Sequence, residues 1–235
     1  MYPAIIPPHD KSYRFPNVEQ AFQEPNGLLA IGGDLAPERI LSAYRQGIFP
    51  WFSHDQPILW WSPDPRMILL PERLRISRSL KKTIRKNLFS VTYDQAFAQV
   101  IYHCAQPRAK QAETWITNEM MQAYATLHKL GHAHSFETWQ NNELVGGLYG
   151  IGIGKVFFGE SMFSYATDAS KVAFVHAVNT LQQWGYELID CQVASEHLES
   201  LGAFNISRQE FIRYLQHLTG QTTDTNAWLA KTETD

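Results

Sequence analysis

Two cysteines in 235 residues, Cys104 and Cys191, are too few and too far apart for a disulfide framework or a set of zinc ligands. A reducing, cytoplasmic setting is the expectation that follows. Nowhere does the chain carry the roughly 20 successive apolar residues that cross a bilayer, so no membrane partner is expected. Met1 to Lys11 holds three prolines and no basic stretch followed by an apolar one, which is not the pattern of a secretory leader. A phosphate-cradling P-loop, a G-x-S-x-G nucleophile elbow, internal repeats and low-complexity tracts are also missing. Charged residues are sparse at 18% beside 44% hydrophobic and 13% aromatic, a balance that excludes a disordered chain. The length permits one large domain or two unequal ones.

A net charge of -3 argues against a nucleic-acid partner only until its distribution is read. From Arg66 to Lys86 eight basic side chains stand against Glu72 alone, a local balance of +7 that leaves -10 for the rest of the chain. Such a segregated field draws a polyanion to one surface while the remainder stays acidic. A solvated basic helix is the other reading of the same segment.

Turn signals crowd the first third: Pro25-Asn26-Gly27, Gly32-Gly33-Asp34, Phe49-Pro50-Trp51 and Ser62-Pro63-Asp64-Pro65. One helix is expected among them, from Asp34 to Gly47, with Pro37 in its first turn and Ile40, Leu41 and Tyr44 on its apolar face. Pro63 and Pro65 impose extended geometry on their neighbours and suit a crossing between units. We place a boundary there, between a small N-terminal domain, 1–62, and a larger one, 63–235. Helical patterns follow at Asp94 to Ala105 and at Asn118 to Leu130, the second capped by Thr117 and stopped by Gly131. The period then changes. Ser135 to Gln140, Glu143 to Ile151 and Val156 to Phe163 read as an antiparallel meander, turned at Asn141-Asn142 and at Gly152 to Lys155. Next come an amphipathic helix from Ser170 to Trp184, a strand from Glu187 to Gln192 and a short helix ending near Gly202. An S-x-x-E capping box, Ser207 with Glu210, opens a last helix to Leu218. The fold class is α+β, with a mixed, mainly antiparallel sheet flanked by helices.

Several strings resemble the leucyl/phenylalanyl-tRNA–protein transferase family in order, spacing and identity. They include Glu24-Pro25-Asn26-Gly27-Leu28-Leu29-Ala30-Ile31-Gly32-Gly33-Asp34-Leu35, Tyr44-Arg45-Gln46-Gly47-Ile48-Phe49-Pro50-Trp51-Phe52 and Leu59-Trp60-Trp61-Ser62-Pro63-Asp64-Pro65-Arg66. Thr114-Trp115-Ile116-Thr117, Gly131-His132-Ala133-His134-Ser135 and Gly146-Gly147-Leu148-Tyr149-Gly150 continue the match. Phe158-Gly159-Glu160-Ser161-Met162-Phe163-Ser164 and Leu188-Ile189-Asp190-Cys191-Gln192-Val193 complete it, over residues 15 to 215. The resemblance implies a small N-terminal domain joined to one like the GCN5-related N-acetyltransferases. It implies transfer of Leu or Phe, and also Met, from aminoacyl-tRNA to the α-amine of proteins that begin with Arg or Lys, marking them for N-end rule proteolysis. No cofactor and no metal are implied.

An aminoacyl ester is already activated, so such an enzyme needs alignment, loss of a proton from the ammonium and a stabilised oxyanion, but no covalent nucleophile. Cys191 is therefore expected to be a core cysteine, on the opposite strand face from Asp190 and Gln192. Asp190 and Gln192 share a face and are the first candidates for catalysis: the carboxylate to hold or deprotonate the amine, the amide to bond the amine or the tetrahedral intermediate. A ribose hydroxyl of the tRNA is the alternative carrier of the proton. Glu160, a carboxylate among aromatics, needs a partner. A basic N-terminal residue of the acceptor is one, an internal pair with a nearby Lys another. By resemblance Trp51, Trp115, Tyr124, Leu148, Phe157, Met162, Ser164, Phe174, Ala177 and Ile189 line the aminoacyl pocket or stack on the terminal adenosine. Leu148, Phe174 and Ala177 differ in size from what some family members carry, so the resemblance conveys the pocket's position rather than its shape. Arg78, Lys81, Lys82 and Arg85 are expected to contact tRNA phosphates.

Two other classes compete. A coenzyme A dependent acetyltransferase fits the architecture, and Gly150-Ile151-Gly152-Ile153-Gly154 imitates its phosphate loop, but a strand and not a helix follows. A non-catalytic tRNA-binding module would bind RNA without turnover. His132-x-His134 suggests metal only weakly, for want of Cys or carboxylate partners beside it.

Overall fold

The computed structural model describes residues 2–107 and 115–229; Thr114, part of one family string, lies outside them. The chain begins with β1 (Ala4–Ile6), β2 (Leu28–Gly32), α1 (Pro37–Arg45), β3 (Phe49–Pro50) and β4 (Leu59–Trp61). It continues through β5 (Arg66–Leu69), α2 (Arg78–Arg85), β6 (Ser90–Tyr93), α3 (Phe97–Cys104) and α4 (Asn118–Lys129). The meander β7 (Ala133–Gln140), β8 (Glu143–Ile153) and β9 (Val156–Ser164) precedes α5 (Ala169–Gln183) and β10 (Leu188–Gln192), then α6 (Glu196–Ser200), β11 (Phe204–Ile206) and α7 (Arg208–Leu218).

Local chemistry accounts for most of the boundaries. The side-chain oxygens of Ser77, Thr117 and Ser207 accept the N–H groups of Leu80, Met120 and Glu210, capping α2, α4 and α7. Asn141 and Asn142 both adopt positive φ, 53° and 64°, the geometry of a two-residue turn whose twist matches its strands. Two expectations shift. The helix expected from Asp94 starts at Phe97, because Asp94 is left-handed, with φ 53°, and spends its carboxylate on the N–H of Ser135. Gly152 belongs to β8 rather than to the turn, where Tyr186 lies over it.

Two sheets form, and the chain passes between them at Ser62. The first runs β1-β2-β4-β3, the second β11-β5-β10-β9-β8-β7-β6. Within the larger sheet every pairing is antiparallel except that of β9 with β10. Each face of that sheet buries its own apolar cluster. Tyr149, Phe158 and Leu188 pack with α1, α3, α4, α7 and the small sheet, whereas Leu148, Phe157 and Ile189 pack with α5 and the underside of α2. Strands β9 and β10 thus lie between two cores, and their neighbouring residues face opposite ways.

At Gly47, after α1, φ is +74°, and an added Cβ would lie 2.7 Å from Ile212 Cδ1 and 3.2 Å from Phe211 Cε1. Gly47→Ala should cost roughly 1–2 kcal/mol through backbone strain and crowding. Urea unfolding should show a lower midpoint with an unchanged slope; an unmoved midpoint would contradict this account of the turn.

Candidate active site

The parallel ladder between β9 and β10 ends after three pairs, the last Asp190 opposite Phe158. At that level each strand carries a bulge. Tyr149 pairs with Ser161 and Gly150 with Gly159, leaving Glu160 as the extra residue of β9. Ile68 faces Asp190 and Met67 faces Gln192, leaving Cys191 as the extra residue of β10, with Gln192 at φ 63°. Bulges bend a strand and re-aim its side chains, and two side by side spread this pair. A cavity of about 530 Å³ opens at this point, with Glu160, Asp190 and Gln192 in its lining.

Glu160 is partly buried and ringed by donors. The hydroxyl of Tyr44 and the amide of Gln192 donate to Oε1 at 2.5 and 2.9 Å, and the hydroxyl of Tyr124 donates to Oε2 at 2.9 Å. The two phenolic oxygens are themselves 2.6 Å apart. Burial raises the Glu160 carboxyl from 4.5 to about 7, against the hydrogen bonds from Tyr44 and Tyr124, which lower it. Both phenols are pushed well above their ordinary value, by burial first and then by the charge of Glu160, so they remain donors. Among the described residues Glu160 forms no ion pair, so the internal lysine pair considered from the sequence is not formed.

Asp190 is occupied differently from the expectation of an accessible base. Its side chain and that of Arg66 are fully buried, with Arg66 Nε donating to Oδ1 at 2.8 Å and Nη2 to Oδ2 at 2.6 Å. The N–H of Gln192 adds a bond to Oδ1 at 2.9 Å, and Arg66 Nη1 donates to the carbonyl of Gly47 at 3.2 Å. The guanidinium lies between the rings of Phe49 and Phe211, 4.8 and 4.6 Å from their centroids. Asp190 thereby anchors the start of the bulge that aims Gln192 at Glu160. Cys191 packs toward the other face, half-buried in the cavity wall. Burial, and next the charge of Asp190, push its thiol up, away from the reactive thiolate.

The apolar part of the cavity gathers Leu148, Phe157, Met162, Phe174, Ala177 and Ile189, six of the residues singled out in the sequence. Four others lie elsewhere. Tyr124 reaches Glu160 from α4 without lining the cavity, and Trp51, 44% exposed, packs edge-on against Trp61. Trp115 packs against the core on the α4 side, and Ser164 donates to the carbonyl of Ala166 before α5 and accepts from the N–H of Ser170 in its first turn. Arg78, Lys81, Lys82 and Arg85 are all exposed on α2, which buries Leu80 beneath them. None of the four is in an ion pair among the described residues.

Arg66, the buried partner of Asp190, is the residue of this arrangement that the sequence concealed, because it stands at the head of a basic run and looks like part of it. Tyr44 was legible only as one apolar-face residue of a helix. The stretch after β10, which brings Ser195, His197 and Leu198 to the cavity, was legible only as a short helix and not as part of the site. Of the His132-x-His134 pair only His134 meets a carboxylate, that of Asp94, and its companion there is His128 rather than His132. His134 Nδ1 lies 2.7 Å from Asp94 Oδ2, and Asp94, His128 and His134 gather within 4.8 Å. Two of these side chains already have other partners, since His128 Nδ1 bonds the Ala133 carbonyl at 2.8 Å and Asp94 Oδ1 accepts from the Ser135 N–H.

An acid whose folded pKa is raised to about 7 holds its proton where the unfolded chain, at 4.5, has lost it. Stability therefore falls as pH rises from about 4.5 to 7 and levels off above. Glu160→Gln should remove roughly 3 kcal/mol of that decline, read as unfolding free energy from pH 5 to 8. Parallel curves for the variant and the wild type would contradict the assignment.

Comparison with known proteins follows the same lines. Residues 68–216 match the family model described as leucyl/phenylalanyl-tRNA protein transferase, and residues 33–64 match that of its N-terminal domain. The leucyl/phenylalanyl-tRNA–protein transferase of Cellvibrio japonicus is 57% identical over 91% of this chain and 91% of its own. That of Nitrosomonas europaea is 58% identical over the same shares. Among solved structures, L-PGS from Bacillus licheniformis overlaps at a TM-score of 0.40 and 10% identity, over 71% of this chain and 53% of the other. A GCN5-related N-acetyltransferase from Kribbella flavida overlaps at 0.38 and 9%, over 71% and 60%. This chain thus spans little more than half of either structure. With both parts of the chain matched and more than half of its residues shared with full-length relatives, the chain belongs to the leucyl/phenylalanyl-tRNA–protein transferase family.

Proposed function

We propose that this chain transfers Leu or Phe, and also Met, from aminoacyl-tRNA to the α-amine of proteins that begin with Arg or Lys, the two parts 1–62 and 63–235 acting as separate domains. The product would be a substrate for N-end rule proteolysis in the cytoplasm. One observation carries this reading: an apolar cavity and a donor-ringed carboxyl meet where β9 and β10 part. The amine nitrogen attacks the ester carbonyl carbon, and the bond to the ribose oxygen breaks as the amide forms. Of the two protons that the ammonium gives up, one ends on the departing ribose oxygen and one leaves to solvent. Leu148, Met162, Phe174 and Ile189 offer the acyl side chain an apolar wall, where one methylene is worth only about 1–3 kcal/mol, so Leu, Phe and Met are all admitted. Glu160, with a pKa of about 7, receives the cationic first residue of the acceptor and ionises as it does so. Gln192 is placed to bond the amine or the intermediate, and Asp190, held by Arg66, positions it. Exposed on α2, Arg78, Lys81, Lys82 and Arg85 contact tRNA phosphates.

Three measurements test this. Labelled Leu-tRNA and a peptide starting with Arg should give labelled peptide, whereas the same peptide starting with Gly should not. Binding of the Arg peptide near pH 7 should release a proton from Glu160, seen calorimetrically in buffers of different ionisation enthalpy and absent in Glu160→Gln. Transfer to both peptides alike would reject the role of Glu160. Replacing the four basic residues of α2 with Ala should flatten the dependence of log affinity for tRNA on log salt by about 0.7 to 0.9 for each phosphate no longer neutralised. An unchanged slope would place the RNA elsewhere.

A further inference from the structure

The segment after α7 lies beyond the matched family region, which ends at residue 216. It turns back over the face of the large sheet that holds the cavity. The N–H of Asp224 donates to the carbonyl of Trp184, and the hydroxyl of Tyr93 to the carbonyl of Leu229, both at 2.9 Å. Between these ties Trp228 enters an aromatic nest. Its indole stacks on His134 at 3.7 Å and 7°, its Nε1 donates to the hydroxyl of Tyr186 at 2.8 Å, and its ring lies 6.1 Å from Phe157 at 26°. Trp228 keeps a left-handed backbone, φ 65°, unfavourable for so bulky a residue, so the nest and not local preference holds it in place.

Phe157 connects this nest to the site. It is 2% exposed, lines the cavity, and rests over Gly150, where an added Cβ would come within 2.6 Å of its Cζ. Phe136, Tyr186 and Trp228 are its ring neighbours in the nest. With Gly150 beneath, the position of the Phe157 ring depends on what stands behind it. We propose that Trp228 is a specificity-determining positioning residue: it backs Phe157, fixes the depth of the acyl cavity, and so sets the preference between Leu and Phe. The inference rests on the reading that this cavity holds the aminoacyl side chain. Interiors are close-packed, so removing a support lets its neighbour settle into the space. Without the indole Phe157 recedes, the cavity deepens, and the longer aromatic acyl group gains over the branched aliphatic one.

The test is kcat/KM for Leu-tRNA and for Phe-tRNA, with the Arg peptide as acceptor, in full-length Trp228→Ala and in the milder Trp228→Leu should the first not fold. Ala177→Leu, which fills the cavity directly, is measured beside them. The Trp228 variants should raise the Phe to Leu ratio at least about fivefold, Trp228→Phe should restore it, and Ala177→Leu should lower it. Loss of folded protein alone reduces both donors equally and leaves the ratio fixed. A ratio within twofold of wild type in the Trp228 variants, with Ala177→Leu still shifting it, overturns the role of Trp228 and leaves the cavity assignment standing. A ratio moved by none of these changes overturns the cavity assignment itself.

Discussion

A guanidinium and a carboxylate taken wholly out of water, Arg66 with Asp190, join strand β5 to strand β10. Burying two charges costs several kcal/mol each, and the cost is met only where every lone pair and proton finds a partner. Here Arg66 also bonds Gly47 and is held between Phe49 and Phe211, while Asp190 also receives the N–H of Gln192. The pair thus ties α1, β5, β10 and α7 into one arrangement. Removing either partner strands the other charge, a loss of about 3–5 kcal/mol in comparable buried pairs. A large drop in activity on changing Asp190 would therefore report the disposition of Gln192 as much as any chemistry of the carboxylate.

The adjoining carboxyl is treated in the opposite way. Among the described residues Glu160 forms no ion pair; three neutral donors bond it, and burial raises its carboxyl to about 7. One acid in the site is paired with a guanidinium and the next is held by neutral hydrogen bonds. The contrast arises from register. Each of two neighbouring strands carries one surplus residue at the same level, so the geometry of the site is set by a backbone irregularity rather than by a loop.

Much of this was legible in the sequence because local rules and tertiary packing agree there. Caps at Thr117 and Ser207, the Asn141-Asn142 turn and the meander of β7 to β9 all follow from short-range chemistry. What was not legible is non-local. Arg66 is indistinguishable, along the chain, from the seven basic residues that follow it, and only the fold sends it inward. Strands β5, β6 and β11 are short and take their identity from the strands they pair with. The bulges at Glu160 and Cys191 insert single residues that no periodicity marks. Tyr44 reaches Glu160, and Trp228 reaches Phe157, across sequence separations that pattern alone does not bridge.

The parting of β9 and β10 has a consequence for solvent. Below it, each strand satisfies the peptide groups of the other; above it, residues 159–162 and 191–193 face one another with no ladder between them. A peptide group that turns into the seam must find its partner outside that ladder. Solvent can supply that partner, and a backbone laid along the seam would displace the solvent bond for bond. Such an exchange adds little affinity of its own, yet it is exacting about direction, because only a backbone laid along the seam at the right height can replace every molecule it evicts.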